Sequence, residues 1–405
     1  MSEYITKPGD TFETIARRVY GTEDNANLIA EANPGVQQPL IDGLSLVAPG
    51  ATQTITFQPS GEENETVLFV GGKRIRFWTD IIITQSLDMV AGVEFGAPFE
   101  PDEPLHRDTF RPFEYKDAQV FIGGSLIFKG NLIDITPNLS PSARTMSVGA
   151  YARAGVLMDC TAPASAYPLE FDNMNLQDIS NKLLQPFALK ASFEAAPGAV
   201  FERVALATGQ PIFPFLASLA KQRNLVITSD ENGDLVFKQS IPSGVPVAIL
   251  QDDSPPVVGV TARFDQQRYY SHITGIEPVV IGFQGGQVTK KNTRLKGVIR
   301  PHTFSTTDTE GADVQEAVDA RTGRMFGNMA LYSLELNTWR DARGDLWKPN
   351  TIVRLESPGV MIYTPTDFIV KSVSLRRTPK LETALLTLML PGSFSGEIPG
   401  SLPWD

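Results

Sequence analysis

Cysteine is almost absent. The 405 residues hold one, Cys160, so no disulfide can form within the chain. Histidine is nearly as scarce. His106, His272 and His302 stand at spacings that fit no zinc or metalloprotease motif, so no metal and no cofactor are implied. No apolar run reaches the roughly 18 residues needed to cross a bilayer, and no membrane insertion is expected. The opening MSEYITKPGDTFETIA has neither a basic start nor an apolar stretch, which predicts no secretory leader and synthesis in the cytoplasm. Positive charge is in deficit: 46 acids against 35 bases leave a net charge of −11. A nucleic-acid grip needs clustered Lys and Arg to displace counterions, so this balance argues against one. Hydrophobic residues at 42% are enough for real cores and argue against disorder.

Glycine and proline are plentiful, 33 and 30 residues, without periodicity, as in a chain of many short strands and turns. The first fifty residues differ. Asp10-Thr11-Phe12-Glu13 reads as a capping box with Asp10 at the cap. Phe12, Ile15, Ala16, Val19 and Tyr20 then form one helical face, and Gly21 ends it. A second helix is predicted from Thr22, carrying Leu28, Ile29 and Ala32 and closed by Asn33-Pro34-Gly35. Extended pieces at Tyr4-Ile5-Thr6 and Leu44-Ser45-Leu46-Val47 flank the pair.

The segments GDTFETIARRVYG, EANP and GLSLVAPG make residues 2–50 resemble a LysM domain. The resemblance implies binding of N-acetylglucosamine polymers between two loops, Gly9, Asp10, Thr11 and Asn33, Pro34, Gly35. The same residues also serve as plain caps and turns, which leaves a docking role open. Seven acids against three bases in residues 1–50 favour a basic protein partner for that role. Residues 51–61, ATQTITFQPSG, read as a linker.

From residue 65 the pattern turns to strands. ETVLFVGGKRIRFW and AQVFIGGSLIFKGNLIDITP read as hairpins around Gly71-Gly72 and Gly123-Gly124. Residues 97–114 read as a long surface loop. Helical spacing is predicted over Asn175–Leu189, Phe213–Arg223 and Thr309–Asn328. NLVITSDENGDLVFKQ reads as strand, turn, strand, since its acids lack the closing Glu of a calcium loop. LYSLELNTW, TIVRLES, TDFIVKSVSLRR and TALLTLMLP read as closing strands.

Five passages in order resemble the baseplate hub family of contractile-tailed phages, typified by phage Mu: GGKRIRFWTDIIITQSLDMVAGVEF, GGSLIFKGNLIDITP, GVLMDCTAP, SLAKQRNLVITSDENGDLVF, and NTWRDARGDLWKPNTIVRL with IVKSVSLRR and LLTLMLP. The resemblance spans about residues 65–393. It implies a mainly β chain with α+β parts, in which two tube-like antiparallel β-barrel domains flank a mixed middle domain behind the small βααβ module. The expected boundaries are 1–50 (LysM), 51–64 (linker), 65–162 (first barrel), 163–255 (middle), 256–396 (second barrel) and 397–405 (tail). It further implies a homotrimer forming a pseudo-sixfold ring between a hexameric tail tube and a trimeric central spike, with DNA passing through unbound. Baseplate wedge proteins would engage the LysM module, and the chain would lie in the virion's tail baseplate.

No catalytic group stands out, and the chain is expected not to be an enzyme. Cys160 as a nucleophile would need a histidine base, and a glycosidase pair cannot be picked from 46 acids. The alternative kept open is a LysM-anchored peptidoglycan hydrolase or a glycan-binding adaptor of a contractile injection system. One charge cluster stands out in the acidic chain: Lys290, Lys291, Arg294, Lys296 and Arg300, a candidate docking patch for an acidic neighbour.

Overall fold

The computed structural model describes residues 2–20, 23, 25–49, 61–241, 243–276, 286–305, 314–391 and 401–405. The predicted stop at Gly21, the helix start at Thr22, most of the linker, residues 309–313 of the third predicted helix and residues 397–400 of the tail lie outside them.

The N-terminal unit runs β1 (Ser2–Ile5), α1 (Phe12–Tyr20), α2 (Ala26–Ala32), β2 (Ser45–Ala48), and β1 pairs antiparallel with β2. The predicted order of strands and helices is present. The cap is not where it was expected. Thr11 caps α1: its Oγ1 accepts from Thr14 N (3.2 Å), and Thr14 Oγ1 accepts from Thr11 N (2.7 Å). Asp10 is diverted because its buried carboxylate accepts from Tyr4 Oη (2.9 Å) and Lys7 N (2.8 Å) and pairs with Arg18 (3.1 Å).

The body is organised on one 13-stranded sheet. Its first half holds β3 (Thr66–Val70), β4 (Lys73–Ile75), β5 (Asp80–Ser86), β6 (Gly92–Pro98), β7 (Asp117–Ile122), β8 (Ser125–Leu139) and β9 (Arg144–Ala152). A short helix, α3 (Pro104–Thr109), interrupts the loop predicted over 97–114. Phe110 behind it is buried against Phe77, Phe95 and Phe99, so this segment covers core instead of standing free.

A second core is built from α4 (Val156–Asp159), β10 (Glu170–Met174), α5 (Leu176–Leu184), β11 (Ala191–Phe193), β12 (Phe201–Ala205), α6 (Ile212–Gln222), β13 (Val226–Ser229) and β14 (Leu235–Lys238). Asn175 caps α5 through Asp178 N (2.9 Å), and the apolar faces of α5 and α6 meet in this core as their spacing predicts. The β13–β14 turn closes on itself, with Asp230 Oδ1 accepting from Asp234 N (2.9 Å).

The second half of the sheet holds β15 (Ala248–Gln251), β16 (Val257–Phe264), β20 (Ala330–Leu336), β21 (Ile352–Ser357), β22 (Ile362–Arg377) and β23 (Glu382–Met389). Between β16 and β20 are inserted a small sheet, β17 (His272–Ile276), β18 (Gln287–Lys291) and β19 (Pro301–Ser305), and a helix, α7 (Val314–Met329).

The halves repeat one another. Neighbour order is β3-β7-β8-β9-β6-β5 in the first and β15-β21-β22-β23-β20-β16 in the second. The β22–β23 hairpin matches β8–β9 pair for pair at numbers 238 higher: Leu139↔Arg144 with Arg377↔Glu382, and Leu132↔Ala150 with Val370↔Leu388. Both hairpins carry their bulge at the same place, between Leu132 and Asp134 and between Val370 and Ser372. Even the turns agree, Ser140 N to Ala143 O and Thr378 N to Leu381 O both at 2.9 Å. One pair differs: β3–β7 is antiparallel and β15–β21 parallel.

Neither half closes into the expected barrel among the described residues. β22 is long enough to outrun β21, and β5 takes the vacated edge, from Ser372↔Ser86 to Arg377↔Ile81. The halves are thus spliced edge to edge. One hydrophobic cluster runs through both, from Leu68 and Phe128 to Trp339 and Leu388. Arg340 locks the seam through Asn64 Oδ1 (2.8 Å), and Asn64 in turn donates to Glu382 (3.0 Å).

Candidate functional site

The polar groups predicted to line a glycan groove are largely used within the N-terminal unit. Asn33 Nδ2 donates to Ile29 O and Val47 O, and its Oδ1 accepts from Val47 N, which clamps the end of α2 to β2. Asp10 and Thr11 are spent as described above. Gly9 and Gly35 adopt φ of 83° and 94° at open turns, and Pro34 sits between the second glycine and Asn33. A hydrogen bond from Gln38 to Glu13 (3.3 Å) brings the start of α1 beside the segment that follows α2.

The predicted basic patch is not one patch. Lys290 pairs with Asp319 on α7 (2.5 Å) and Arg294 with the C-terminal Asp405 (2.9 Å). Arg300 donates to Tyr269 O and Gln267 O. Lys291 and Lys296 are exposed. The cause is topological: α7 and the C-terminal tail, both far along the chain, fold onto this stretch and supply carboxylates.

Cys160 follows α4, and burial together with Asp159 pushes its thiol pKa up, away from the thiolate a nucleophile needs. His106 packs on Phe77 (4.2 Å between rings), and its Nδ1 accepts from Glu100 N. His272 bonds Ser271 Oγ (3.0 Å), and His302 stacks on Tyr270 (4.6 Å).

Sequence reasoning missed a basic pocket of about 370 Å³ where α6 meets α7. Lys221, Arg268, His302, Arg321 and Arg324 line it, and no acid among the described residues does. Arg324 Nη2 donates to Lys221 O (2.6 Å), while its sealed Nε has no partner among the described residues. Burial, and then Arg321, push the Arg324 pKa down to about 10. Lys221 stands 103 positions before Arg324, with Arg268 and His302 spread between, so no local charge run announces them. A buried, incompletely paired cation costs stability. Arg324→Met is therefore expected to raise the unfolding free energy by about 1 kcal/mol in urea titrations; a loss would mean the guanidinium is better satisfied than this geometry implies.

Among the described residues β4, β15 and β16 are edge strands of the large sheet, and the far part of β8 adds a further open edge. β7 ends opposite Asn131, so β8 has no neighbour on its outer side over residues 134–139. β16 pairs only with β20. Exposed apolar side chains accompany the β8 and β16 edges: Ile133 and Leu139 on the first, Val258 and Phe264 on the second. Natural sheets do not leave such edges bare without reason.

Residues 154–239 match the family of the gp44-like baseplate hub protein, second domain. The chain is 21% identical over 332 residues to the baseplate hub protein gp44 of Escherichia phage Mu, covering 77% of this chain and 84% of that protein. Two solved structures share its fold. One is a tail protein from Neisseria meningitidis MC58 (TM-score 0.69, 18% identity, 82% of this chain and 98% of that one). The other is the 43 kDa tail protein of prophage MuSo2 from Shewanella oneidensis (TM-score 0.67, 24% identity, 82% and 99%). These similarities support a phage baseplate hub, and the proteins they name are structural ones.

Proposed function

We propose that this chain is the structural hub of a contractile tail baseplate, and that three copies close into a ring of six similar sheet units between the tail tube and the central spike. The observation that carries the reading is the internal repeat. A chain that presents one unit twice, at a fixed edge-to-edge splice, is the component that lets a threefold spike meet a sixfold tube, because closed interfaces need matching repeats. In this reading the expected barrels of 65–162 and 256–396 are ring segments, residues 163–255 form the middle domain between them, and DNA passes through an acidic ring that does not hold it. The chain has no catalytic role here, in keeping with a Cys160 thiol held protonated. Light scattering is expected to give a trimer that co-purifies with the spike; a monomer at every concentration would overturn the proposal.

The N-terminal unit is the LysM module of this hub and docks a basic baseplate neighbour. Asp10, Thr11 and Asn33 support docking over glycan binding, since their polar groups are already committed internally. Lys291 and Lys296 remain as docking cations for an acidic neighbour. Deleting residues 1–50 is expected to leave trimers intact and to stop baseplate assembly at a later stage, as seen by electron microscopy. Complete baseplates without the module would refute docking and favour glycan contact.

A further inference from the structure

The open edges of β8 and β16 fit each other. We propose that the outer edge of β8 in one subunit pairs antiparallel with β16 of the next, reproducing between chains the β22–β5 splice made within each chain. This rests on the ring reading above and names the surfaces that would close it.

The repeat sets the register. β8 stands where β22 stands, and β16 stands where β5 stands, as the matching neighbour orders require. Through the shared β6–β9 and β20–β23 pairings, Ile83 corresponds to Ala262 and Ile81 to Val260. Carrying the β22–β5 register across then places Leu139 opposite Val260, Pro137 opposite Ala262 and Ile135 opposite Phe264.

Backbone direction agrees independently. In an antiparallel strand alternate residues turn their N–H and C=O to opposite edges. Asp265 N donates to Met329 O (2.7 Å), so Asp265, Arg263 and Thr261 face β20, which leaves Phe264, Ala262 and Val260 to face outward. On β22, Leu87 N donates to Lys371 O (2.9 Å), which turns Val373, Leu375 and Arg377 toward β5. Their counterparts are Ile135, Pro137 and Leu139. The residues that pair by register are therefore the residues whose backbone groups point outward on both strands.

The junction also covers what the single chain leaves exposed. Leu139 is 82% exposed and Phe264 37%, and both would enter the seam. Pro137 lacks an N–H, so the junction between chains has one donor fewer than the internal one. The same proline keeps two β8 edges from pairing well with each other. Each unit then offers one β22-type and one β5-type edge, a head-to-tail arrangement that closes only as a ring.

Thr136 and Arg263 form a non-hydrogen-bonded pair in this register, with Cα atoms about 4.5 Å apart, inside the range a disulfide spans. Full-length chain carrying Cys160→Ser, Thr136→Cys and Arg263→Cys is expected, under a mild oxidant, to convert mostly to covalent dimers and trimers on a non-reducing gel. Either cysteine alone should give none. A solution trimer in which this pair stays unlinked, while the slipped pair Ile135→Cys with Arg263→Cys links, would overturn the proposed register and leave the ring standing. Self-linking of Thr136→Cys alone would overturn it too, by putting two β8 edges together. A chain that is monomeric at every concentration would remove the ring itself.

Discussion

Replacing Trp339 by alanine is expected to lower the unfolding free energy by about 3–5 kcal/mol, the cost of emptying a large buried aromatic site. Trp339 is fully buried. Its indole Nε1 donates to Thr383 O (2.9 Å) and Arg376 O (3.3 Å), one on each strand of the β22–β23 hairpin. Both acceptors lie at the hairpin's turn end, and there Arg376 and Arg377 pair with Ile82 and Ile81 of β5. The cavity would therefore open beside the internal splice, with two backbone carbonyls losing a donor. Urea titration reads the stability loss. Hydrogen exchange should show the β5 and β22 amides losing protection before those of α5 and α6, which belong to the other core. Uniform loss across both cores would mean that the indole supports the whole fold instead of the seam.

Gly130→Ala is expected to cost about 3 kcal/mol or more, an unusual penalty for one methyl group. A Cβ at Gly130 would lie 1.9 Å from Tyr151 O and 2.7 Å from the Phe128 ring. The carbonyl belongs to the neighbouring strand β9, so relief requires the β8–β9 ladder to shift. The consequence reaches the open edge, because Gly130 pairs with Ala118 one residue before the last β7–β8 pair. Its counterpart in the repeat is Phe368, a fully buried side chain against Tyr332. The repeat thus conserves pairing, not side chains. Thermal unfolding measures the cost; a drop of only a few tenths of a kcal/mol, the ordinary range for a tolerated substitution, would show that the strand adjusts freely.

Much of the local structure was legible. The helical face from Phe12 to Tyr20, the helical spacing that follows Asn175 and the turn at Asp230 each depend on residues within about one or two turns, so spacing suffices. The cap at Asp10 was misread by one position, because the competing partner Arg18 is reached only when the helix forms. The candidate sites were much less legible. The charge run at Lys290–Arg300 looked free because Asp319 and Asp405, which neutralise part of it, lie elsewhere in the sequence. The pocket around Arg324 was invisible for the converse reason, since Lys221, Arg268 and His302 come from elements other than the α7 that carries Arg321 and Arg324.

The sequence by itself determined many of the strands and helices, the apolar faces of α1, α5 and α6, and that cysteine and histidine are too few for a disulfide or a zinc framework. Those properties follow from composition and short-range periodicity. Only the tertiary structure decided that the two halves repeat one another. The paired hairpins share just Pro141 with Pro379 and Thr145 with Thr383 over residues 131–151 and 369–389. It also decided that they join edge to edge, through contacts such as Thr84 with Ser374, 290 residues apart. Strand pairing is made by backbone groups that every residue but proline carries in full, so its partners leave little mark in side-chain pattern until the chain is folded.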